Sequence, residues 1–371
     1  MRLLYFSPVA WRSFAQRPHR FVEWFHARHG ASVLWVDPYP TRLPTLSDML
    51  RISTPARALT GPVDAATPPW LTIVRPPALP IEPLPGSVAV NGLLWRGTVR
   101  SLDSFIAADD CLIAVGKPSE LALQILQRHP SAASVFDVMD DFSEFYQGLS
   151  RCSMARRTGA VAAGAKRILV SSNALAHSFG QYRAKLTLVR NACATESLPQ
   201  WRRLEPSATV RKVFGYVGAI GPWFDWALVH ALAVAFPSAI VRLIGPLYSL
   251  SPILLPANVE LQPACSNTAA LQSMASFNMG LIPFKQNALT ASVDPIKYYE
   301  YRATGLPVLS TVFGEMALRK GLPGVFLASQ SQELSPLVRA ALAYRCEADE
   351  VRVFRAQNSW AARFDAEYSR A

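Results

Sequence analysis

A lysine and a glutamate near the start of a predicted helix are the residues best suited to binding chemistry. Lys297 and Glu300 stand three positions apart, and Asp294 and Pro295 precede them as the expected N-cap and first helical residue. Because residues at this spacing share a helix face, the ammonium can neutralise a diphosphate together with the helix amides, and the carboxylate can accept hydrogen bonds from ribose hydroxyls. An ordinary surface ion pair is the alternative interpretation.

A glycine turn links a predicted strand to a helix earlier in the same half of the chain. Gly215, Gly218 and Gly221 follow a G-x-x-G-x-x-G spacing, which lets backbone amides approach a phosphate at the positive end of the next helix. The turn is not a dinucleotide fingerprint, because Val217 stands where the second glycine of G-x-G is needed. Asp225 either caps that helix or has a catalytic role.

Three carboxylates follow a predicted strand in the N-terminal half. Asp137, Asp140 and Asp141 are expected at the carboxyl edge of a parallel sheet, where ligands bind in such folds. One of them could take a proton from a substrate hydroxyl. The same side chains could instead cap the next helix.

Strand-like and helix-length segments alternate through both halves, which predicts parallel sheets covered by helices. The proline-rich region 38–85 interrupts the alternation and is expected to form long loops. The predicted strands are 3–6, 32–36, 71–74, 111–115, 133–137, 167–171, 186–189, 213–217, 240–244, 259–261, 279–282, 307–310 and 324–327. The predicted helices are 18–29, 119–129, 151–166, 173–182, 226–236, 268–275, 295–304 and 333–345, and 348–368 is helix-compatible.

A length of 371 residues favours two domains. The polar stretch 196–211, which contains prolines and several arginines, marks the expected boundary. We therefore predict Rossmann-like domains at 1–205 and 206–350, and a final helix at 351–371 that packs back toward the first domain. The ligand site is expected in the crevice between the strand ends.

The composition narrows the classes of partner. With 37 Lys and Arg against 26 Asp and Glu, the formal charge of +11 indicates a nucleotide, a nucleic acid or an anionic membrane surface. The basic stretch 151–167 is either a solvated helix face or a contact to an anionic bilayer. Nucleic acid is not expected as a partner, because no aromatic stacking module or recognition helix is found.

Two further features concern the compartment and metals. No stretch is as long as a membrane-spanning helix, and the start lacks the features of a signal peptide, so we expect a cytoplasmic protein. The five cysteines lie far apart without a C-x-x-C pair, which argues against a zinc site or a disulfide framework.

The segment that carries Lys297 and Glu300 resembles the P-x-K-x-x-E-x-x-A-x-G-x-P-V motif of GT-B glycosyltransferases. It stands here as Pro295, Lys297, Glu300, Ala303, Gly305, Pro307 and Val308. The resemblance extends back through the glycine turn and the 283–285 loop, and it is closest to bacterial enzymes that assemble exopolysaccharide, teichuronic-acid-type and other envelope glycans. The D-x-x-D-D-F segment at 137–142 and the W…QRPH stretch at 11–19 are also similar to these enzymes.

This resemblance implies an α/β GT-B fold, with two Rossmann-like domains whose parallel sheets face a central cleft. It also implies transfer of a sugar from a nucleoside-diphosphate sugar, with Glu300 on the donor ribose and Lys297 near the diphosphate. The other predicted donor contacts are Gly218, Lys285, Ser292 and Val293; the predicted acceptor contacts are Trp11, Gln16 and Arg17; and the predicted catalytic base is Asp140 or Asp141.

One departure bears on the stereochemistry. Many retaining members carry a second glutamate eight positions before the ribose glutamate, and Ser292 stands there instead, so a retaining reaction is not supported. We expect a UDP- or GDP-sugar donor, no cofactor and no metal, and a glycan acceptor that is lipid-linked, with peripheral contact to the anionic inner membrane. The alternatives are an inactive GT-B relative that acts as a binding partner, or a sugar-nucleotide-modifying Rossmann enzyme.

Overall fold

The computed structural model describes residues 1–13, 15–44, 67–201, 211–329 and 334–368. The chain divides into two compact units, Met1–Val189 and Arg190–Ala371. The predicted boundary at 205–206 lies outside the described residues. Residues 351–371, predicted to pack back toward the first domain, belong to the second unit.

The first unit is built on a parallel sheet of seven strands in the order β3-β2-β1-β4-β5-β6-β7. Both faces of the sheet are apolar and buried, as is typical of a sheet covered by helices. The strands are β1 Arg2–Phe6, β2 Ser32–Val36, β3 Leu71–Val74, β4 Cys111–Val115, β5 Ala133–Val138, β6 Arg167–Val170 and β7 Leu186–Leu188. All seven strands predicted for this half are confirmed.

The helices of the first unit differ from the prediction in two places. The predicted helix at 173–182 is shortened, and a 3-10 segment, Gly180–Lys185, follows it. A long helix that was not predicted spans Ser87–Ala107, where apolar residues on its exposed side obscure the helical period. The helices are α1 Arg17–His29, α2 Ser87–Ala107, α3 Glu120–Arg128, α4 Gly148–Gly164 and α5 Asn173–Ser178.

The second unit is built on a parallel sheet of six strands in the order β10-β9-β8-β11-β12-β13. Its strands are β8 Val213–Val217, β9 Ile240–Ile244, β10 Val259–Gln262, β11 Met279–Ile282, β12 Val308–Thr311 and β13 Val325–Ala328. Its helices are α6 Trp226–Ala235, α7 Asn267–Ser273, α8 Ala288–Ala291, α9 Ile296–Ala303, α10 Gly314–Ala317, α11 Leu334–Ala343, α12 Ala348–Gln357 and α13 Trp360–Tyr368. The six strands predicted for this half are confirmed. Among the helices of the described ranges, none is long and apolar enough to cross a membrane.

Helix α9 lies unusually close to the sheet of the second unit. A Cβ atom at Gly280 on β11 would be 2.4 Å from the Tyr301 ring, so only glycine allows this approach. The Tyr301 hydroxyl accepts a hydrogen bond from the Val217 amide at 3.2 Å. The end of β8 and helix α9 are therefore held together directly.

The basic stretch of the first unit is partly internal. The Arg157 side chain is 1% exposed, and its Nη1 lies 3.2 Å from Oε2 of the equally buried Glu82 and 3.7 Å from Oε1 of Glu120. The guanidinium also donates to the Thr41 carbonyl at 3.2 Å. Burial raises the pKa of Glu82, and the charge of Arg157 opposes this shift. Arg157 therefore joins α4 to the loop after β2, to the loop before α2 and to the first residue of α3, and it is not part of a solvated face.

We predict that Arg157→Ala destabilises the protein by about 3–5 kcal/mol, because it leaves Glu82 buried without its counter-ion. The measurement is the free energy of unfolding in urea. The matched control is Arg156→Ala, since Arg156 is the neighbouring residue and is exposed; its effect should stay within about 0.5 kcal/mol. Equal effects of the two substitutions would contradict the buried role of Arg157.

Candidate functional site

The start of α9 is fixed by a buried charge network. Asp294 is not the N-cap that the sequence predicted: Pro295 occupies that position, and no side chain caps the helix. The Asp294 carboxylate instead pairs with Arg319 at 2.5 Å and accepts hydrogen bonds from the Tyr299 hydroxyl at 2.9 Å and the Asn191 amide at 2.8 Å. These contacts set where the first turn of α9 lies.

Lys297 and Glu300 share one face of α9, as predicted from their spacing. Lys297 Nζ lies 2.5 Å from Glu300 Oε2, and the two side chains are only 21% and 11% exposed, unlike an ordinary surface pair. Within the described part of the chain, Lys297 is the one side chain that donates to this carboxylate. A carboxylate has about four acceptor positions, so Glu300 can accept further hydrogen bonds from a ligand.

The glycine turn approaches the same lysine. Gly218 has φ +153°, and a Cβ atom there would lie 2.8 Å from the Tyr216 hydroxyl and 3.6 Å from Lys297 Cε. Across the turn, a Cβ atom at Gly245 would lie 2.1 Å from the Gly218 carbonyl oxygen. The turn thus brings bare backbone against the Lys297 side chain. Asp225 accepts a hydrogen bond from the Leu228 amide at 3.1 Å, so the capping interpretation of this residue is confirmed.

The loop after β11 holds the three other predicted donor residues. Lys285 is exposed, and its Nζ donates to the Pro222 carbonyl at 3.0 Å. The Val293 amide donates to the Thr290 carbonyl at 3.1 Å, so its predicted contact with a phosphate requires this bond to open. Ser292 Oγ is buried and has no hydrogen-bond partner among the described residues. A buried hydroxyl without a partner indicates a place where a ligand or a water molecule completes the bonding.

The two carboxylates proposed as a base have different surroundings. Asp141 caps the 3-10 segment Phe142–Phe145, because its Oδ1 accepts from the Ser143 amide at 3.1 Å and from the Ser143 hydroxyl at 2.5 Å. Burial raises the pKa of Asp140 to about 7; the charge of Arg17 opposes the shift and that of Asp141 adds to it. Asp140 is therefore the carboxyl suited to exchange a proton near neutral pH.

The third carboxylate of this edge is structural. Asp137 is completely buried and binds Arg17 through Nε at 2.9 Å and Nη2 at 2.8 Å. Arg17 Nη1 donates to the Val189 carbonyl at 2.7 Å, and the arginine side chain is 2% exposed. Arg17 thus holds the start of α1 against β5, and its predicted contact with an acceptor stays a prediction.

Trp11 and Gln16 both lie between the carboxyl end of β1 and the start of α1. The Trp11 amide donates to Asp37 Oδ1 at 2.9 Å, and its ring lies against Trp35 with centroids 5.0 Å apart. Burial lowers the pKa of His19 to about 4, so the neutral ring accepts from the Gln16 amide at 3.2 Å and places its other nitrogen 3.0 Å from the Trp11 carbonyl. Trp11 is half-buried and Gln16 is exposed.

Three residues that sequence reasoning did not single out position the candidate site: Asn191, Tyr299 and Arg319. Each acts on Asp294 from a different part of the chain. Of the three, only Tyr299 lies within the 295–308 motif, and by residue type it cannot be told from an ordinary core tyrosine. The aspartate itself was the available signal, because Asp-Pro before a helix fits both a cap and a buried anchor.

No protein-family model matches the sequence, and no curated protein is significantly similar to it. Solved structures do match over the whole chain. HepE of Anabaena in complex with UDP and glucose has 14% identity, covers 100% of both chains and gives a TM-score of 0.63. The catalytic domain of starch synthase IV of Arabidopsis thaliana, bound to ADP and acarbose, has 12% identity, covers 100% of this chain and 98% of that chain, and gives 0.60. The fold is GT-B.

A third structure extends the comparison. The lipopolysaccharide outer core galactosyltransferase WaaB, in its apo form, has 11% identity, covers 100% of both chains and gives a TM-score of 0.59. At these identities the GT-B similarity establishes the fold, and the roles of individual residues depend on the geometry described above.

The raised pKa of Asp140 predicts a stability effect. Between its ordinary value of 3.8 and about 7, the unfolded chain ionises this carboxyl while the folded chain keeps the proton, so stability falls as pH rises through this window. Asp140→Asn removes the penalty. We expect its Tm to exceed that of the unsubstituted protein, with a difference that grows from about pH 5 to about pH 7 and then levels off.

The control for this measurement is Asp349→Asn, which removes one carboxylate from a side chain that is 87% exposed. Its Tm difference should not grow over the same range. A flat Tm difference for Asp140→Asn would show that the carboxyl is not protonated in the folded protein.

Proposed function

We propose that this protein is a glycosyltransferase that moves a sugar from a nucleoside-diphosphate sugar to a glycan acceptor. The observation that carries the proposal is the partly buried Lys297–Glu300 pair at the start of α9, where the glutamate keeps unused acceptor positions and the lysine side chain lies next to Gly218. The second unit is the donor-binding unit, and the first unit binds the acceptor.

In the proposed donor complex, Glu300 accepts hydrogen bonds from the ribose hydroxyls. Lys297 and the amides at the start of α9 bind the diphosphate, because an ammonium and a helix N-terminus both favour negative charge. Gly218 allows a phosphate to approach the backbone, and the partnerless hydroxyl of Ser292 donates to the donor. Lys285 and the Val293 amide also bind the phosphates after they release the Pro222 and Thr290 carbonyls to which they now donate.

The donor is proposed to be a UDP- or GDP-sugar. HepE was solved with UDP and with UDP-glucose, which supports a uridine nucleotide. Starch synthase IV was solved with ADP, so the shared fold accepts more than one base. The nucleotide-sugar is a substrate, and in this scheme Lys297 and the helix amides supply the positive charge that stabilises the leaving diphosphate.

Asp140 is proposed as the general base. Its carboxylate takes the proton of the acceptor hydroxyl, the hydroxyl oxygen bonds to the anomeric carbon of the sugar, and the bond from that carbon to the diphosphate breaks. The diphosphate leaves with the electron pair, and the anomeric configuration inverts. Asp140 is preferred to Asp141 because the latter already caps a 3-10 segment. The absence of a glutamate at position 292 fits inversion.

The acceptor is proposed to be a lipid-linked glycan of the bacterial cell envelope, reached from the cytoplasmic face of the inner membrane. Trp11 and Gln16 are the proposed acceptor contacts, with Arg17 fixing the loop that carries them. The similarity to a lipopolysaccharide galactosyltransferase supports an envelope glycan. The formal charge of +11 supports contact with an anionic membrane.

We predict that Glu300→Gln and Lys297→Met each weaken donor binding by roughly 10- to 100-fold, because each removes a charged hydrogen-bonding group. The measurement is the shift of Tm with a panel of UDP-, GDP-, dTDP- and ADP-sugars. The matched control is Glu260→Gln, which removes the charge of a partly exposed pair between Glu260 and Arg242 and should bind the donor normally. Unchanged binding in both site variants would refute the donor assignment.

A second prediction concerns the proposed base. Asp140→Asn should lower kcat by roughly 10²- to 10⁴-fold and leave donor binding unchanged. In the unsubstituted enzyme, kcat/KM should rise with pH through an apparent pKa near 7. Asp141→Asn should shift this rise of kcat/KM to lower pH, because the charge of Asp141 helps to raise the pKa of Asp140. If kcat/KM of Asp140→Asn still rose through the same apparent pKa, the titration would belong to another group.

A further inference from the structure

The outward side of α2 is apolar where an exposed helix is normally polar. Its inward side buries Trp95, Val99 and Leu102 against the sheet. On the opposite side, Leu93 is 58% exposed and Leu94 is 44% exposed. Large exposed side chains that lie on or beside the first two turns form what we call the α2 patch: Leu79, Leu84, Val88, Val90, Leu93 and Leu94.

The α2 patch rests on a rigid support. Asn91 is completely buried, and its side chain accepts a hydrogen bond from the Leu79 amide at 2.9 Å and donates to the Leu79 carbonyl at 3.2 Å. Ser87 Oγ donates to the Glu82 carbonyl at 3.1 Å, which closes the loop onto the helix. The loop is therefore bonded to the first turns of the helix, and the exposed apolar side chains belong to a fixed segment.

The charged side chains in this part of α2 have one sign. Residues 87–102 contain two charged side chains, Arg96 and Arg100, both exposed. The nearest carboxylates on either side are neutralised: Glu82 is buried with Arg157, and Asp103 pairs with Arg128 at 2.5 Å and with His129 at 2.7 Å. An exposed apolar helix face whose own charged side chains are arginines is typical of helices that lie in the interface of an anionic bilayer.

We propose that the α2 patch docks this protein on an anionic lipid surface, with the leucines and valines among the acyl chains and with Arg96 and Arg100 at the phosphates. The α2 patch would be the site of the membrane contact that the proposed function includes, and this proposal rests on that function. Vesicle binding is measured without a donor, so its failure is distinguishable from failure of the donor assignment.

A second copy of this chain is a less suitable occupant. Two α2 patches face to face would bring four arginines together, and no carboxylate in 87–102 could neutralise them. A bilayer supplies phosphates at the level of both arginines and adds about 1 kcal/mol of attraction for each. The basic stretch 151–167 is also less suitable, because Arg157 is buried and Arg151 is paired with Glu144.

The test is co-sedimentation of the full-length protein with vesicles of phosphatidylcholine alone or mixed with phosphatidylglycerol. We expect binding to the mixed vesicles, and a loss of roughly 10-fold or more for the double variant Leu93→Glu, Leu94→Glu. The matched control is Leu250→Glu, Leu254→Glu, which places the same charges on side chains that are 78% and 92% exposed in the second unit. The control should bind vesicles as the unsubstituted protein does.

The variant Arg96→Ala, Arg100→Ala separates charge from apolar contact and should lose the preference for phosphatidylglycerol. Because all of these side chains are exposed, thermal melting in the absence of vesicles verifies that each variant is folded. Equal binding by the Leu93→Glu, Leu94→Glu variant and the unsubstituted protein would overturn the proposal. Equal loss in the control, or a concentration-dependent dimer that disappears with Leu93→Glu, Leu94→Glu while vesicles are not bound, would also overturn it.

Discussion

The buried pair of Asp294 and Arg319 is the interaction on which the candidate donor site depends. Removing both charges from water costs several kcal/mol for each ion, and the pair is stable only if the remaining hydrogen-bonding groups are satisfied. Here the Tyr299 hydroxyl and the Asn191 amide bind the carboxylate, and the guanidinium carbon lies 3.9 Å from the centre of the Tyr298 ring. Loss of Asp294 or Arg319 would leave the other charge buried and unpaired, and loss of either neutral donor would remove a hydrogen bond from the carboxylate, so the network fixes the first turn of α9.

That position has consequences for the two residues on the other face of the helix. Lys297 and Glu300 are held on a helix that β11 approaches through Gly280, and Lys297 Cε lies 3.6 Å from where a Cβ atom of Gly218 would stand. The Glu300 carboxylate lies in the same buried region as Cys193 and Tyr216; burial raises the pKa of both groups, and the charge of Glu300 adds to the shift. A carboxylate fixed before the ligand arrives loses little entropy on binding, which is the advantage of preorganisation.

The strands could be predicted from the sequence because strands buried on both faces read as short runs of aliphatic residues between turns. The α2 helix could not be predicted in this way, because Val90, Leu93 and Leu94 are apolar although exposed and obscure the helical spacing of the buried residues. At the candidate site, the spacing of Lys297 and Glu300 predicted their shared face. The role of Asp294 was mistaken because its partner Arg319 is 25 positions away, and no local pattern specifies such a contact. Asp140 and Asp141 look equivalent in sequence; in the structure Asp141 caps a 3-10 segment, and the pKa of Asp140 is raised.

The buried arginines also change how the formal charge should be understood. Arg17, Arg157 and Arg319 are each almost completely buried, and each takes a carboxylate out of solvent: Asp137, Glu82 and Asp294 respectively. Each pair takes one positive and one negative group off the surface, so the net charge of +11 is unchanged and is carried by fewer exposed groups. A positive net charge attracts anions at long range, and the two proposed contacts differ in what surrounds their cations: Lys297 lies beside a partly buried carboxylate and a glycine turn, whereas Arg96 and Arg100 are exposed beside apolar side chains.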